Sequence, residues 1–166
     1  MISAAILTLS DKGSAGERED LAGPLIGEMI AGIGAAIECY EVIPDEKDLI
    51  KEKLIAYSKK VDLVLTTGGT GLSPRDVTPE ATREVIDKEI PGIAEAMRSA
   101  GLHKTKRAML SRAVAGVRGN TLIINLPGSP KAVREGLEAI MDVIPHAVEK
   151  IKGGTGDCAV REGMQR

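Results

Sequence analysis

The chain has 166 residues, enough for one domain that buries about 70% of the surface of its unfolded chain. Hydrophobic residues make up 43% and charged residues 28%, a balance that excludes a disordered chain. A formal net charge of −2, with two Tyr, no Phe and no Trp, also excludes a nucleic-acid partner. Such a partner would call for a basic face or for rings on which bases stack.

Residues 2–9 form a short apolar run without alternation, as in a strand buried on both faces. The polar stretch 10–20 is expected to be a loop, and a helix is expected over 24–33, stopped by Gly32 and Gly34. A second strand follows at 36–43. Asp45, after Pro44, is placed to cap a helix whose inner face carries Leu49, Ile50, Leu54 and Tyr57. A third strand, 61–67, runs straight into Gly68, Gly69, Thr70 and Gly71. Thr78 and Pro79 predict an N-cap and first helical position, with that helix ending near Glu89. Another helix is expected over 92–100. Strands 113–117 and 121–126 are expected to form a hairpin at Gly119-Asn120. Ser129 and Pro130 open a last amphipathic helix reaching Ile151, bent or broken at Pro145.

Buried strands alternating with amphipathic helices predict an α/β fold of three layers, a mostly parallel sheet with helices on both faces. Residues 1–153 are expected to be one domain and 154–166 a flexible tail. No apolar run approaches the ~20 residues of a membrane span, and residues 2–9 lack a basic leader. A cytoplasmic protein with no membrane partner is expected. Cys39 and Cys158 match no metal-ligand spacing and read as free thiols.

In parallel sheets ligands bind beyond the carboxyl ends of the strands. That rule selects residues 10–20, 44–45, 68–76 and 127–129. The glycines at 68, 69 and 71 leave backbone amides open to a phosphate, and Thr70 adds a hydroxyl. The loop matches neither the P-loop nor the dinucleotide fingerprint, and a tight turn without ligand is the competing reading. Asp76 beside a phosphate cradle would repel the ligand unless a cation intervenes, which points to Mg²⁺. Stabilising the helix that follows is the structural alternative for Asp76, and simple capping is the alternative for Asp45 and Ser129. Arg75, Arg112, Arg118 and Lys131 are candidate anion contacts. Neither GxSxG nor HExxH occurs.

Thr8-Leu9-Ser10-Asp11, Leu65 to Gly71, Pro74-Arg75-Asp76-Val77-Thr78-Pro79-Glu80-Ala81, Leu110-Ser111-Arg112-Ala113 and Asn125 to Pro130 resemble, in order, the molybdenum-cofactor biosynthesis family. Residues 10–20 are similar to its adenylyltransferase branch. At Leu21-Ala22-Gly23 this chain has alanine where a Ser or Thr commonly precedes the glycine. The resemblance implies adenylylation of molybdopterin by ATP, with release of pyrophosphate. It makes Asp45 and Asp76 the catalytic pair and the holders of Mg²⁺. The nucleotide- and pterin-binding set is expected to comprise Ser10, Asp11, Gly68, Gly69, Thr70, Gly71, Ser111, Arg112, Gly119, Asn120, Pro127, Gly128 and Ser129. A homotrimer that hands its product to a molybdate-insertion protein is implied as well. The alternative is a non-catalytic molybdopterin-binding or scaffold protein of the same fold.

Overall fold

The computed structural model describes residues 1–154. One sheet is built from β1 (Ile2–Leu9), β2 (Ala35–Ile43), β3 (Leu63–Thr67), β4 (Lys88–Glu89), β5 (Ala115–Arg118) and β6 (Thr121–Leu126). Its order is β2-β1-β3-β6-β5-β4. The first four in that order run parallel, and β5 and β4 complete the sheet antiparallel to their neighbours. Every residue of β3 and β6 is buried, which is why neither strand shows alternation in its sequence.

Successive side chains alternate between two apolar layers. Ala4, Ile6, Leu63, Leu65, Leu122 and Ile124 pack with α2 (Ala22–Ala31), α5 (Pro91–Leu102), α6 (Pro130–Glu138) and α7 (Ile144–Ile151). Ala5, Leu7, Val64 and Ile123 pack on the other face, against Ile50 and Leu54 of α3 (Lys47–Tyr57) and Ala81 and Val85 of α4 (Thr78–Val85). The expected three layers are therefore present, in an aliphatic core where each fully buried Ile or Leu contributes about 1.5–3 kcal/mol. Among the described residues no helix is long and apolar enough to cross a membrane.

Several local expectations need correction. The stretch 10–20 contains a short helix, α1 (Asp11–Ser14), because Ser10 Oγ accepts from Gly13 N at 2.9 Å. Glu46, not Asp45, precedes α3, and it makes no side-chain cap; the carboxylate of Asp45 is engaged elsewhere. Val77 precedes α4, so Thr78 lies inside the first turn. That helix stops at Val85, well before Glu89, because Ile86 turns extended (φ −77, ψ 147) and β4 pairs with β5. The break expected at Pro145, by contrast, is found: a 3₁₀ turn, Met141–Val143, separates two helices, and Pro145 lies in the first turn of α7. The expected tail beyond Gly154 lies outside the described residues.

Leaving β1, the chain reaches β2 through α2 on one face, then returns to β3 through α3 on the other. The two crossovers diverge and open a crevice beyond the carboxyl ends of β1 and β3. Asn125 ties β6 to β3 and to α4. Its Nδ2 donates to Thr66 Oγ1 (3.0 Å) and Thr82 Oγ1 (2.9 Å), and its Oδ1 accepts from Val114 N (3.2 Å). The side chain is fully buried. Asn125→Leu fills the same space but strands two polar groups, the Val114 amide and Thr66 Oγ1, while Thr82 Oγ1 keeps its bond to Thr78 O. It is expected to lower the unfolding free energy by about 2–4 kcal/mol, measured in urea.

Candidate active site

The glycine loop after β3 turns sharply, with φ of +99 at Gly68 and +66 at Gly69. All of its carbonyls are tied back to the protein. Thr78 takes two of them: its Oγ1 donates to Gly68 O (3.0 Å) and its N to Gly69 O (3.2 Å). Arg112 takes the others, its N donating to Thr70 O (2.9 Å) and its Nε to Gly71 O (2.8 Å). The amide of Gly68 is used by Leu126 O (3.2 Å). Those of Gly69, Thr70 and Gly71 have no protein acceptor among the described residues. A loop whose carbonyls face inward and whose amides remain available is a concave anion receptor.

Two carboxylates border this loop. A Cβ built on Gly69 would lie 2.9 Å from Asp45 Oδ1, and one on Gly71 would lie 2.8 Å from Asp76 Oδ2. Only glycine lets both acids come so close. Asp45 and Asp11 hold one another across β1 and β2: Asp11 N donates to Asp45 Oδ2 (3.1 Å), and Asp45 N to Asp11 Oδ1 (3.0 Å). The other oxygen of Asp45 is buried and has no partner among the described residues. Burial pushes the Asp45 carboxyl above its ordinary value, and the charges of Asp11 and Asp76 push it further. Arg75 forks onto Asp11 at 2.8 and 2.9 Å and reaches Glu46 at 3.0 Å, and its hydrogen bonds hold the Asp11 carboxyl below its usual range. Asp76 Oδ2 accepts from Ser73 N (2.9 Å).

Two cavities meet over the loop. One, of about 510 Å³, is lined by Met97, Arg98, Thr105, Leu110 and Ser111 and is largely apolar. The other, of about 550 Å³, is lined by Ser10, Arg18, Asp20, Asp45 and Gly68 and is more polar. Gly69, Asp76, Gly128 and Ser129 belong to both. Ser129 also caps α6, Oγ accepting from Ala132 N at 3.3 Å, so its structural role and its position at the site coexist.

Residues 5–146 match a family model described as "Probable molybdopterin binding domain". The chain belongs to the molybdopterin-binding domain family. A molybdopterin adenylyltransferase of Helicobacter pylori (strain J99) is 46% identical over 156 residues, covering 92% of this chain and 89% of that protein. The crystal structure of the molybdopterin biosynthesis enzyme MoaB from Thermus thermophilus superposes with a TM-score of 0.87 at 55% identity, over 92% of this chain and 98% of that one. The tungsten cofactor synthesizing protein MoaB from Pyrococcus furiosus superposes with a TM-score of 0.82 at 35% identity, over 91% and 97%.

In this molybdopterin-binding domain the residues anticipated from sequence fall into three groups. Ser10, Asp45, the four residues of the glycine loop, Asp76, Ser111, Pro127, Gly128 and Ser129 line the cavities. Asp11 and Arg112 line neither, but each is bonded to residues that do. Gly119 and Asn120 lie far away. Because β6 runs parallel to β3, its preceding hairpin sits at the opposite edge of the sheet, where Gly119 N donates to Asp87 Oδ2 (2.7 Å). Arg118 is at that edge too, on Val85 O.

Sequence reading missed Arg98, Arg107 and Glu135 in the first cavity, whereas Arg18 and Asp20 in the second lie within the selected stretch 10–20 without having been singled out. Asp20 carried a usable signal, an acid just before a helix start. Its Oδ1 accepts from Ala22 N (3.0 Å) and Gly23 N (3.1 Å), and its Oδ2 from Thr8 Oγ1 and Tyr40 Oη, both at 2.6 Å. Burial alone would raise the Asp20 carboxyl, but these bonds outweigh it and hold the acid ionised. Ala22, which precedes Gly23, lines the second cavity and offers no hydroxyl there.

Proposed function

We propose that this chain transfers the adenylyl group of ATP to molybdopterin, releasing pyrophosphate, as the name of its H. pylori relative describes for that protein. The observation that carries this reading is the pair of cavities joined over a carbonyl-clamped glycine loop with Asp45 and Asp76 at its rim. A transfer between two substrates calls for two adjoining sites with the reacting phosphates at their junction. Of the residues with open amides, Gly69 borders both cavities, and Thr70 and Gly71 line the first beside it.

The attacking group is the terminal phosphate of molybdopterin, which is mostly dianionic at neutral pH because its second pKa is about 6. It attacks the α-phosphorus of ATP, the bond to the β-phosphate breaks, and pyrophosphate leaves. No side-chain base is needed to activate it. Neither His103 nor His146 lines either of these two cavities. The protein's task is to hold two polyanions in line, and preorganised amides do this without rearranging during the reaction.

The donor set fits Mg²⁺. Asp45 presents a buried oxygen with no partner among the described residues, and Asp76 faces the same junction. Mg²⁺ takes one or two carboxylates with waters and phosphate oxygens as its other ligands, a set that two acids beside a phosphate cradle can supply. When bound, it supplies charge shielding between the two phosphate groups. The same reading includes a homotrimer in the cytoplasm that delivers its product to a molybdate-insertion protein, both carried by the family resemblance.

The test is pyrophosphate release from ATP with purified protein and molybdopterin. Release is expected with Mg²⁺ and is expected to stop on chelation. Absence of release under every condition would overturn the reading in favour of a non-catalytic binding protein.

A further inference from the structure

Arg112 has the chemistry of an anion contact, yet its donors point into the protein. The guanidinium Nε donates to Gly71 O and Nη2 to Asp76 O, both at 2.8 Å, while Nη1 pairs with Glu80. Its own backbone N donates to Thr70 O. The side chain therefore grips both ends of the segment 71–76, the segment that carries the Asp76 carboxylate away from the loop and back to it. The 111–113 backbone is itself anchored from α5, where Arg98 Nη1 donates to Ser111 O (3.3 Å) and Ala113 O (3.2 Å).

We infer that Arg112 is a positioning residue for the transfer reaction, fixing the amides of Thr70 and Gly71 outward and Asp76 at the rim, without touching either substrate. The inference rests on the proposed adenylyl transfer. A planar fork serves two carbonyls and a carboxylate at once, which the single ammonium of lysine cannot do. Arg112 thus matters by geometry, not by charge.

The experiment compares Arg112→Ala, Arg112→Lys and wild type by steady-state pyrophosphate release and by amide hydrogen exchange. A misplacement of about 1 Å at a transfer site costs up to roughly a hundredfold in rate. Accordingly kcat is expected to fall about 30- to 100-fold in both variants, with KM for ATP within about threefold of wild type. Guanidinium ion at tens of millimolar is expected to restore the Ala variant about tenfold. Exchange is expected to quicken at Ser73 and Asp76, whose amides are bonded within the segment, and to stay unchanged in β1 and β3.

A KM rise of tenfold or more with kcat retained would make Arg112 a substrate contact and overturn the inference. Wild-type turnover in the Lys variant would reduce the role to charge and overturn it as well. Exchange quickening throughout the sheet would mark a merely structural residue, with the same consequence. If wild-type protein itself releases no pyrophosphate, the functional reading fails, and the exchange comparison still decides whether Arg112 holds the segment.

Discussion

Asp45→Asn protein is expected to release pyrophosphate at least about a hundredfold more slowly than wild type, while melting at the same temperature or higher. The two effects share one cause. Asp45 Oδ1 is buried, unpartnered among the described residues, and beside the loop that would receive phosphate. Burial, with Asp11 and Asp76 nearby, raises its pKa, so folding favours the protonated form. The stability from that preference is fully present below the unfolded carboxylate value of 3.8 and is lost as pH rises through the folded value. At neutral pH the charged side chain therefore weighs against the fold, and the neutral amide relieves it. Asparagine still offers an oxygen to Asp11 N. Thermal melts across pH check this: the advantage of the variant should shrink as pH falls toward 3.8. A variant that melts well below wild type at neutral pH would show that the carboxylate is there for structure.

Gly68→Ala is expected to be the most destabilising single change in the loop. At φ +99 an L-residue is strained, and the added methyl would collide with the carbonyl oxygen of Leu9 in β1. That atom is backbone, bonded into a central strand, so relief would have to come from moving β1 against β3. Strain and overpacking together amount to about 2–5 kcal/mol, or a fall in Tm of roughly 5–15 °C. Gly71→Ala supplies the contrast. Its neighbour is the Asp76 carboxylate, 2.8 Å from the new methyl, and a side chain can swing aside. Stability should change by less than about 1 kcal/mol, and turnover should fall at least tenfold. Paired melts and pyrophosphate assays separate the two. Gly68→Ala melting within about 2 °C of wild type would contradict the close contact with Leu9.

Much of this architecture was legible in the chain because each signal was local. Apolar runs at residues 2–9 and 121–126 mark buried strands, and Ser129-Pro130 marks a helix start at the position found. Local signals failed where a distant partner overrode them. Asp45 follows proline and precedes a helix, yet its oxygen answers the amide of Asp11, 34 residues away. Lys88–Glu89 has no strand pattern and becomes a strand only because β5 lies alongside. Gly119-Asn120 is a genuine hairpin turn, but which end of the sheet a turn occupies depends on strand direction, and that lies in the order of the whole sheet. The same limit hid Arg98 and Glu135, which become cavity walls through packing between elements.

Two of the four residues at the seam between the two cavities are glycines, Gly69 and Gly128. Gly128 approaches Gly68 so closely that a Cβ on the former would stand 3.4 Å from the α-carbon of the latter. Away from that seam the two walls are drawn mostly from separate parts of the chain, α5, the turn after it and α6 on one side, residues 8–22 on the other. If each cavity takes one substrate of the proposed transfer, the two walls can drift independently over evolutionary time, or be redesigned one at a time, while the junction stays the same. A fold divided in this way can serve different cargoes without rebuilding the place where they meet.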